Sequence, residues 1–557
     1  MAFSGTPVAV ALDEIAEKGR FQWSYNANIL DPKAHVTYTG YQQSVREVLH
    51  EVLGNAYTFR QNGEYLILKK VKHPEQHLTG YLSDQKTGKR IPNATIYDRQ
   101  SLKSAVTDAE GFYELSVPPG AQIAVAALDY RDTVLSVASI TPHLFKIEMQ
   151  LDSSVGNDSR HSLPYILKED AARVGYQLER FFQLQQQHWN EINTGHDSLH
   201  RVFQVSFLPN IGTNRYMSGS VVNDFSLNIL AGYSKGNRIL EVGGLANINR
   251  GNVSGVQIAG LSNIVTGDMR GVQIAGLTNN VRGNALGVQI GGLYNEGDTT
   301  HIQIGGLANV SRFQQGPQIG GVVNYAKKSN AAIQIGGVAN TVAAGAAVVQ
   351  IGGVSNVADT VRGVQVSGVV NVAKVVTGAQ IGLINRADSI SGVQLGLFNM
   401  AKKGGYMALE ASANEINSFN LTFKTGTPQL YTIWTGGASP EPVVSESERL
   451  WTFGMGIGSH FWAKKRMSLS VDLIQRHLDK GDFDEDTQEW TQLAIGANLR
   501  LGRHWYLAAG PSLNMLYAQD HTFHGQIIPK DFPDFSIGNN SDLRGWAGAV
   551  ATVRYRW

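Results

Sequence analysis

Between Glu241 and Asn399, apolar and polar positions alternate in a short phrase that returns every 14 to 16 residues. It reads Val-Gln-Ile-Ala-Gly-Leu-Ser-Asn at Val256–Asn263, Val-Gln-Ile-Gly-Gly-Leu-Tyr-Asn at Val288–Asn295 and Ile-Gln-Ile-Gly-Gly-Val-Ala-Asn at Ile333–Asn340. Its polar members include the pairs Gln257 and Asn263, Gln273 and Asn279, Gln289 and Asn295, Gln303 and Asn309, Gln334 and Asn340, and Gln350 and Asn356. Further glutamines stand at Gln318, Gln365, Gln380 and Gln394, and Glu241 opens the series in the glutamine position. Such a fixed period decides the architecture before any single residue does.

Within one phrase, Val256, Ile258, Gly260, Ser262 and Ile264 share one face of an extended strand, and Gln257, Ala259, Leu261 and Asn263 share the other. Gly-Asn and Gly-Asp steps between copies, as at Gly251-Asn252 and Gly267-Asp268, suit tight hairpins. The phrase is also nearly palindromic about its second glycine, so neighbouring up and down strands would present the same faces, with Gln opposite Asn. These features predict a meander in which each repeat is one wall strand and its Gln and Asn point inward. The barrel so built is antiparallel, transmembrane and of about twenty strands. A rival arrangement is a parallel β-solenoid inserted in a smaller barrel, with one coil per repeat, Gly-Gly at the corners and stacked Gln and Asn ladders. The scarcity of aromatics among the repeats favours it.

The flanks alternate too. Val202–Pro209 and Phe225–Tyr233 read as barrel strands before the repeats. Near the C-terminus, Leu493, Ile495, Ala497 and Leu499 alternate with Gln492, Ala494, Gly496 and Asn498. The last strand sets Ala549, Ala551, Val553, Tyr555 and Trp557 against Val550, Thr552, Arg554 and Arg556, the apolar-out, polar-in pattern of a membrane β-barrel. Trp451, Phe453, Trp462, Trp490, Trp505, Tyr506 and Tyr517 fall near strand ends, where an aromatic girdle would sit. The expected barrel domain runs over 203–557, with repeats at 239–400.

The N-terminal 70 residues change period. Val45, Val48, Leu49, Val52 and Leu53 form the stripe of an amphipathic helix, and short strands surround it in a β-α-β-β-α-β-β order. Residues 71–152 read as short strands punctuated by turns such as Asp84–Gly88 and Asp108–Gly111, the pattern of a small β-sandwich. Residues 153–202 combine a polar linker with a helix over Lys168–Ile192, expected to dock to the barrel mouth or partly fill it. The fold class expected is therefore multidomain and mainly β: a small α+β domain, an immunoglobulin-like sandwich, then a large barrel.

Composition narrows the function classes. Net charge is +1 with 17% charged residues, so no nucleic-acid footprint is expected. Cys is absent, which excludes disulfides, thiol catalysis and cysteine-ligated zinc. No uninterrupted apolar run reaches the length of a membrane helix. The abrupt start suits a mature chain whose export signal has been removed. His196 and His200 stand four apart but lack a third ligand, and acidic Asp479–Glu489 lacks the glycine and glutamate of a calcium-binding loop. No nucleophile elbow or phosphate loop is present, so neither an enzyme nor a cofactor is expected.

Three stretches resemble known families. "VTYTGYQQSVREVLHEVLGNAYTFRQNGEYLILKK" resembles the short N-terminal domain of secretins and TonB-dependent signalling receptors. That implies a periplasmic module that docks a protein such as an anti-sigma factor or a TonB-like energy transducer. "LTGYLSDQKTGKRIPNATIYDRQSLKSAVTDAEGFYELSVPPG" resembles the non-catalytic carboxypeptidase-regulatory-like domain. The repeat resembles those of "surface repeat" envelope proteins of Bacteroidota and spirochaetes. Together they imply a Bacteroidota outer-membrane protein whose partners are outer-membrane lipid and the barrel-assembly machinery. The terminal Tyr555 and Trp557 would be the signal that machinery reads. No plug-like sequence follows the two modules. The functions implied are envelope signalling or transport, a non-transporting surface repeat protein, or a plug-less receptor relative.

Overall fold

The computed structural model describes residues 1–26, 29–41, 45–54, 57–70, 75–137, 146–152, 185–195, 198–439, 450–479, 488–518, 527–528, 534–536 and 543–557. The chain forms two compact units, Met1–Gly255 and Val256–Trp557.

In the first unit, Ala2–Pro7 leads into a helix at Val8–Gly19 that buries Leu12 and Ile15. Arg20, with φ of 54°, turns the chain out of that helix in the left-handed region. A second helix, Val45–Leu53, lays Leu49 and Val52 on the same core as Tyr38 and Leu68. Ala2–Pro7 pairs antiparallel with His35–Thr39, while Gln22–Ser24 runs parallel to Tyr65–Lys70. Two small sheets follow. One orders Thr133–Ser136, Gln122–Ala126, Thr95–Asp98 and Ser104–Val106; the other holds Ile147–Met149, Gln76–Asp84 and Phe112–Val117. Leu82, Ile96, Tyr113, Val125 and Met149 fill the space between them. Asp84 closes its turn by accepting from the Thr87 N–H at 2.6 Å and the Thr87 hydroxyl at 2.7 Å. The backbone bond leads in holding this carboxyl below the ordinary carboxylate range.

The chain then enters a stack of coils. Leu199–Leu208 lies parallel to Val221–Asn228, which lies parallel to Gly236–Gly243. The two strands expected in a barrel wall, Val202–Pro209 and Phe225–Tyr233, thus belong to this stack.

In the second unit the repeats are parallel neighbours in register. Gln273 faces Gln289, Gln334 faces Gln350, and Asn324 faces Asn340. This overturns the reading of the repeats as antiparallel wall strands with Gln opposite Asn. Each repeat is a coil of a β-solenoid, and like stacks on like. The face assignment also needs one correction. Leu261 is 43% exposed although it shares parity with buried Gln257 and Ala259. The chain bends at Gly260–Leu261, so two short strands replace one of nine residues, and the alternation shifts at the corner. That corner explains the glycine. A Cβ on Gly276, Gly292, Gly306, Gly321 or Gly337 would fall well inside contact with the carbonyl oxygen of the corner residue one coil earlier.

The barrel begins only after the stack and has eight strands, not about twenty. They are Tyr406–Asn414, Phe419–Thr427, Leu430–Ala438, Trp451–Lys464, Met467–Asp479, Gln488–Arg500, Trp505–Ala518 and Leu543–Arg556. Each pairs antiparallel with the next, and the first closes on the last with Leu409 opposite Tyr555 and Ala411 opposite Val553. The solenoid therefore precedes the barrel and is not inserted into it. Connections at one end are short, at 428–429, 465–466 and 501–504; at the other end lie the short 415–418 and the longer 439–450, 480–487 and 519–542.

Candidate functional site: amide ladders and a filled barrel

The inward amides of the coils form two continuous ladders. Each glutamine donates its Nε2 to the Oε1 of the preceding coil's glutamine: Gln273 to Gln257 at 2.7 Å, Gln289 to Gln273 at 3.1 Å, Gln303 to Gln289 at 2.9 Å and Gln350 to Gln334 at 2.8 Å. The asparagines donate the other way, toward the following coil. Asn263 gives to Asn279, Asn279 to Asn295, Asn295 to Asn309 and Asn340 to Asn356, each at 2.9 Å. The second N–H of each asparagine reaches a backbone carbonyl, as Asn340 reaches Ile351 O at 2.7 Å. All twelve of the Gln and Asn residues paired in the sequence pattern lie at 0–1% exposure, inside the stack. Burial at this depth is affordable only because almost every donor and acceptor is paired. In the first unit, Glu241 holds the glutamine position and accepts from Asn228 Nδ2 at 3.0 Å.

Where the stack meets the barrel, the last asparagine finds substitutes for a next coil. Thr425 and Thr432 share the outward parity of exposed Phe419 and Leu421, yet both are buried. Asn399 N donates to Thr425 Oγ1 at 2.8 Å, Asn399 Nδ2 donates to Thr425 O at 3.1 Å, and Thr432 Oγ1 donates to Gly396 O at 2.8 Å. The end of the solenoid therefore seats on the outer wall of the barrel, near its short-turn end. The glutamine ladder ends differently: Gln394 Oε1 is buried without a partner among the described residues. Changing Thr425 and Thr432 together to valine strands the Asn399 backbone groups and the Gly396 carbonyl at a cost of about 2–4 kcal/mol. Hydrogen exchange at Phe398–Lys403 should rise, while amides in the middle of the stack keep their protection.

The barrel interior is filled in layers. Near the short turns, Lys424 Nζ lies 2.6 Å from Asp472 and 3.0 Å from Glu410, Arg554 pairs with Glu410, and the Tyr431 hydroxyl donates to Asp472 at 2.6 Å. Above them, Arg476 donates to Gln492 at 2.9 Å and covers the Trp490 ring at 4.4 Å. Glu415 accepts from Trp546 Nε1 at 2.8 Å and Asn514 Nδ2 at 2.7 Å. Ile416, Leu450, Leu478, Leu516 and Ile527 close the end with the long connections. Trp490, expected in an aromatic girdle, is instead wholly buried in this interior beside Trp546. The width of the barrel decides this: eight strands enclose just enough room for side chains. Outside, Met455, Ile457, Leu473, Ile495, Leu499 and Val553 are exposed, with Trp451, Trp462, Trp505 and Trp557 toward the rims.

Trp557 is 56% exposed, and the ring of Tyr555 lies edge-on to it at 5.3 Å. The described part of the connector helix, Gln185–Asn193, packs on the sandwich and the first coils: Asn193 donates to Asn93 O at 2.7 Å and Asn190 to Tyr216 O at 3.1 Å. Tyr97, Leu102, Ala124 and Ala126 join Leu199, Met217 and Val221 in one apolar cluster there. His196 and the acidic stretch 480–487 lie outside the described residues; His200 pairs with Asp224 at 3.1 Å. Among the described residues, no group of three metal-ligating side chains occurs. Sequence reasoning missed Thr425, Thr432 and the Lys424 cluster, which carry no motif and acquire meaning only when the barrel closes. No family model matches this chain, and neither a curated protein nor a solved structure matches it.

Proposed function

We propose that this chain is a non-enzymatic outer-membrane protein in which a closed barrel anchors a stack of coils and two small partner-docking modules in the periplasm. The observation that carries the reading is the eight-stranded barrel itself, apolar outside and packed with paired charges and indoles inside. Such a wall suits lipid, and such an interior suits an anchor better than a conduit. Short turns at the solenoid end, and three of the four connections at the other end being longer, match the usual periplasmic and outer sides of bacterial barrels. The resemblance of residues 1–70 to the secretin and TonB short domain supports docking of a periplasmic protein there. Tyr555 and Trp557 remain, in this reading, the signal for the assembly machinery.

Full-length protein in planar bilayers is expected to give no stepwise conductance, while still migrating faster on gels before heating than after. Steady single-channel steps would sink the anchor reading in favour of transport.

A further inference from the structure

The solenoid of the second unit is amphipathic across its section. Ile274, Ile290 and Ile304 on one side of the glycine corner, and Leu277, Leu293 and Leu307 on the other, are each 37–48% exposed. Equivalent positions continue these two rows through Ile351 and Val354 to Ile381 and Leu383. Nine coil-to-coil steps separate Gln257 from Gln394, so the apolar edge runs about 43 Å at ~4.8 Å per step. Its exposed area is on the order of 1,000 Å², about twice the largest apolar patch of an ordinary soluble monomer. Apart from Glu296 and Arg386, one residue past the inward asparagine, the ion pairs gather on the other side. Three residues beyond the inward asparagine, away from the corner, Arg312 pairs with Asp298, Lys374 with Asp359 at 2.8 Å, and Lys402 with Asp388 at 2.7 Å. The Lys374 hydrogen bond holds the Asp359 carboxyl below its ordinary range.

We infer that the Ile/Leu edge lies against a lipid surface, the periplasmic face of the membrane that the barrel spans; this rests on the reading of the barrel as a membrane anchor. Two observations select lipid over other occupants. The last coil is seated on Thr425 and Thr432, which belong to the outward, lipid-side parity of the barrel wall, so the edge begins where that wall ends. One turn further up the same strands, outward-facing Leu421, Phe423, Trp434, Phe453 and Met455 surround an apolar hollow of about 330 Å³, continuing the apolar surface onto the wall. An apolar edge backed by a charged one is the section of an element that rests in a lipid interface.

Because the chain has no cysteine, single nitroxide labels can be placed cleanly. Full-length I304C, L307C, K374C and L473C proteins would be labelled and reconstituted in vesicles of phosphatidylethanolamine and phosphatidylglycerol. Collisional access of oxygen and of a water-soluble nickel chelate is then compared. The expected result is a several-fold preference for oxygen at positions 304, 307 and 473, and for the chelate at 374. If 304 and 307 favour the chelate while 473 favours oxygen, the edge is not on lipid and the inference falls, with the barrel reading intact. If 473 also favours the chelate, the barrel reading itself fails. Dipolar broadening at 304 with neither probe gaining access would assign the edge to a second copy of the chain and overturn the proposal.

Discussion

Gly337→Val is expected to unfold the middle of the coil stack. Its Cβ would fall well inside contact with Gly321 O, a backbone atom of the preceding coil that cannot turn aside. To make room, two coils must separate locally, and the amides there would lose their partners. Gln334 donates to Gln318 at 2.9 Å, and Asn340 accepts from Asn324 at 2.9 Å. Overpacking by itself costs about 1–3 kcal/mol, and each buried amide group left unpaired adds about 1–3 kcal/mol. The whole should reach about 4 kcal/mol or more, at the top of what single substitutions do. Thermal unfolding of full-length protein in detergent, followed by far-ultraviolet circular dichroism, should show a lowered transition for the solenoid. Gly502→Val supplies the control, because a Cβ there meets nothing within 4 Å. Equal stability of the two variants would mean that the coils are not stacked at this spacing.

Lys424→Met is the second large effect, and it strikes the barrel. Lys424 stands at 1% exposure between Asp472 and Glu410, so its removal leaves carboxylates buried with too little positive charge. Breaking one partner of such a buried set costs about 3–5 kcal/mol. Arg554 continues to hold Glu410, which leaves Asp472, with the Tyr431 hydroxyl as its remaining donor among the described residues, as the group most exposed to the loss. The urea midpoint for loss of the compact gel form should drop. The double variant K424M/D472L, which removes the charge and its main partner together, should recover much of the difference. No recovery would place the cost elsewhere than in the pair.

The two halves of this fold were not equally legible in the sequence. The barrel strands show their faces directly, since Leu493, Ile495 and Leu499 are exposed and Gln492 and Asn498 are buried. Period-2 alternation, however, is the same in a wall strand and in a solenoid coil, so Gln257–Asn263 could not decide between them. The near-palindrome pointed the wrong way, because symmetry about a glycine describes a corner as well as a hairpin. The discriminating mark was the second glycine. It recurs in phase because each corner lies under the carbonyl of the one before. A meander would impose no such demand at one fixed position. The scarcity of aromatics in the repeats was the other sign. The buried cluster around Lys424 left none, since its charged members come from four strands, 144 residues apart at the extreme.

The opposed directions of the two ladders give the coils of the second unit the same top and the same bottom. A coil of the second unit can therefore be added or deleted without altering the chemistry that Thr425 and Thr432 must meet. The length of this ladder is quantised: duplication or loss of one repeat changes it by a single step of ~4.8 Å. Recombination between near-identical repeats would act as a length adjustment, leaving the seat on the barrel unchanged.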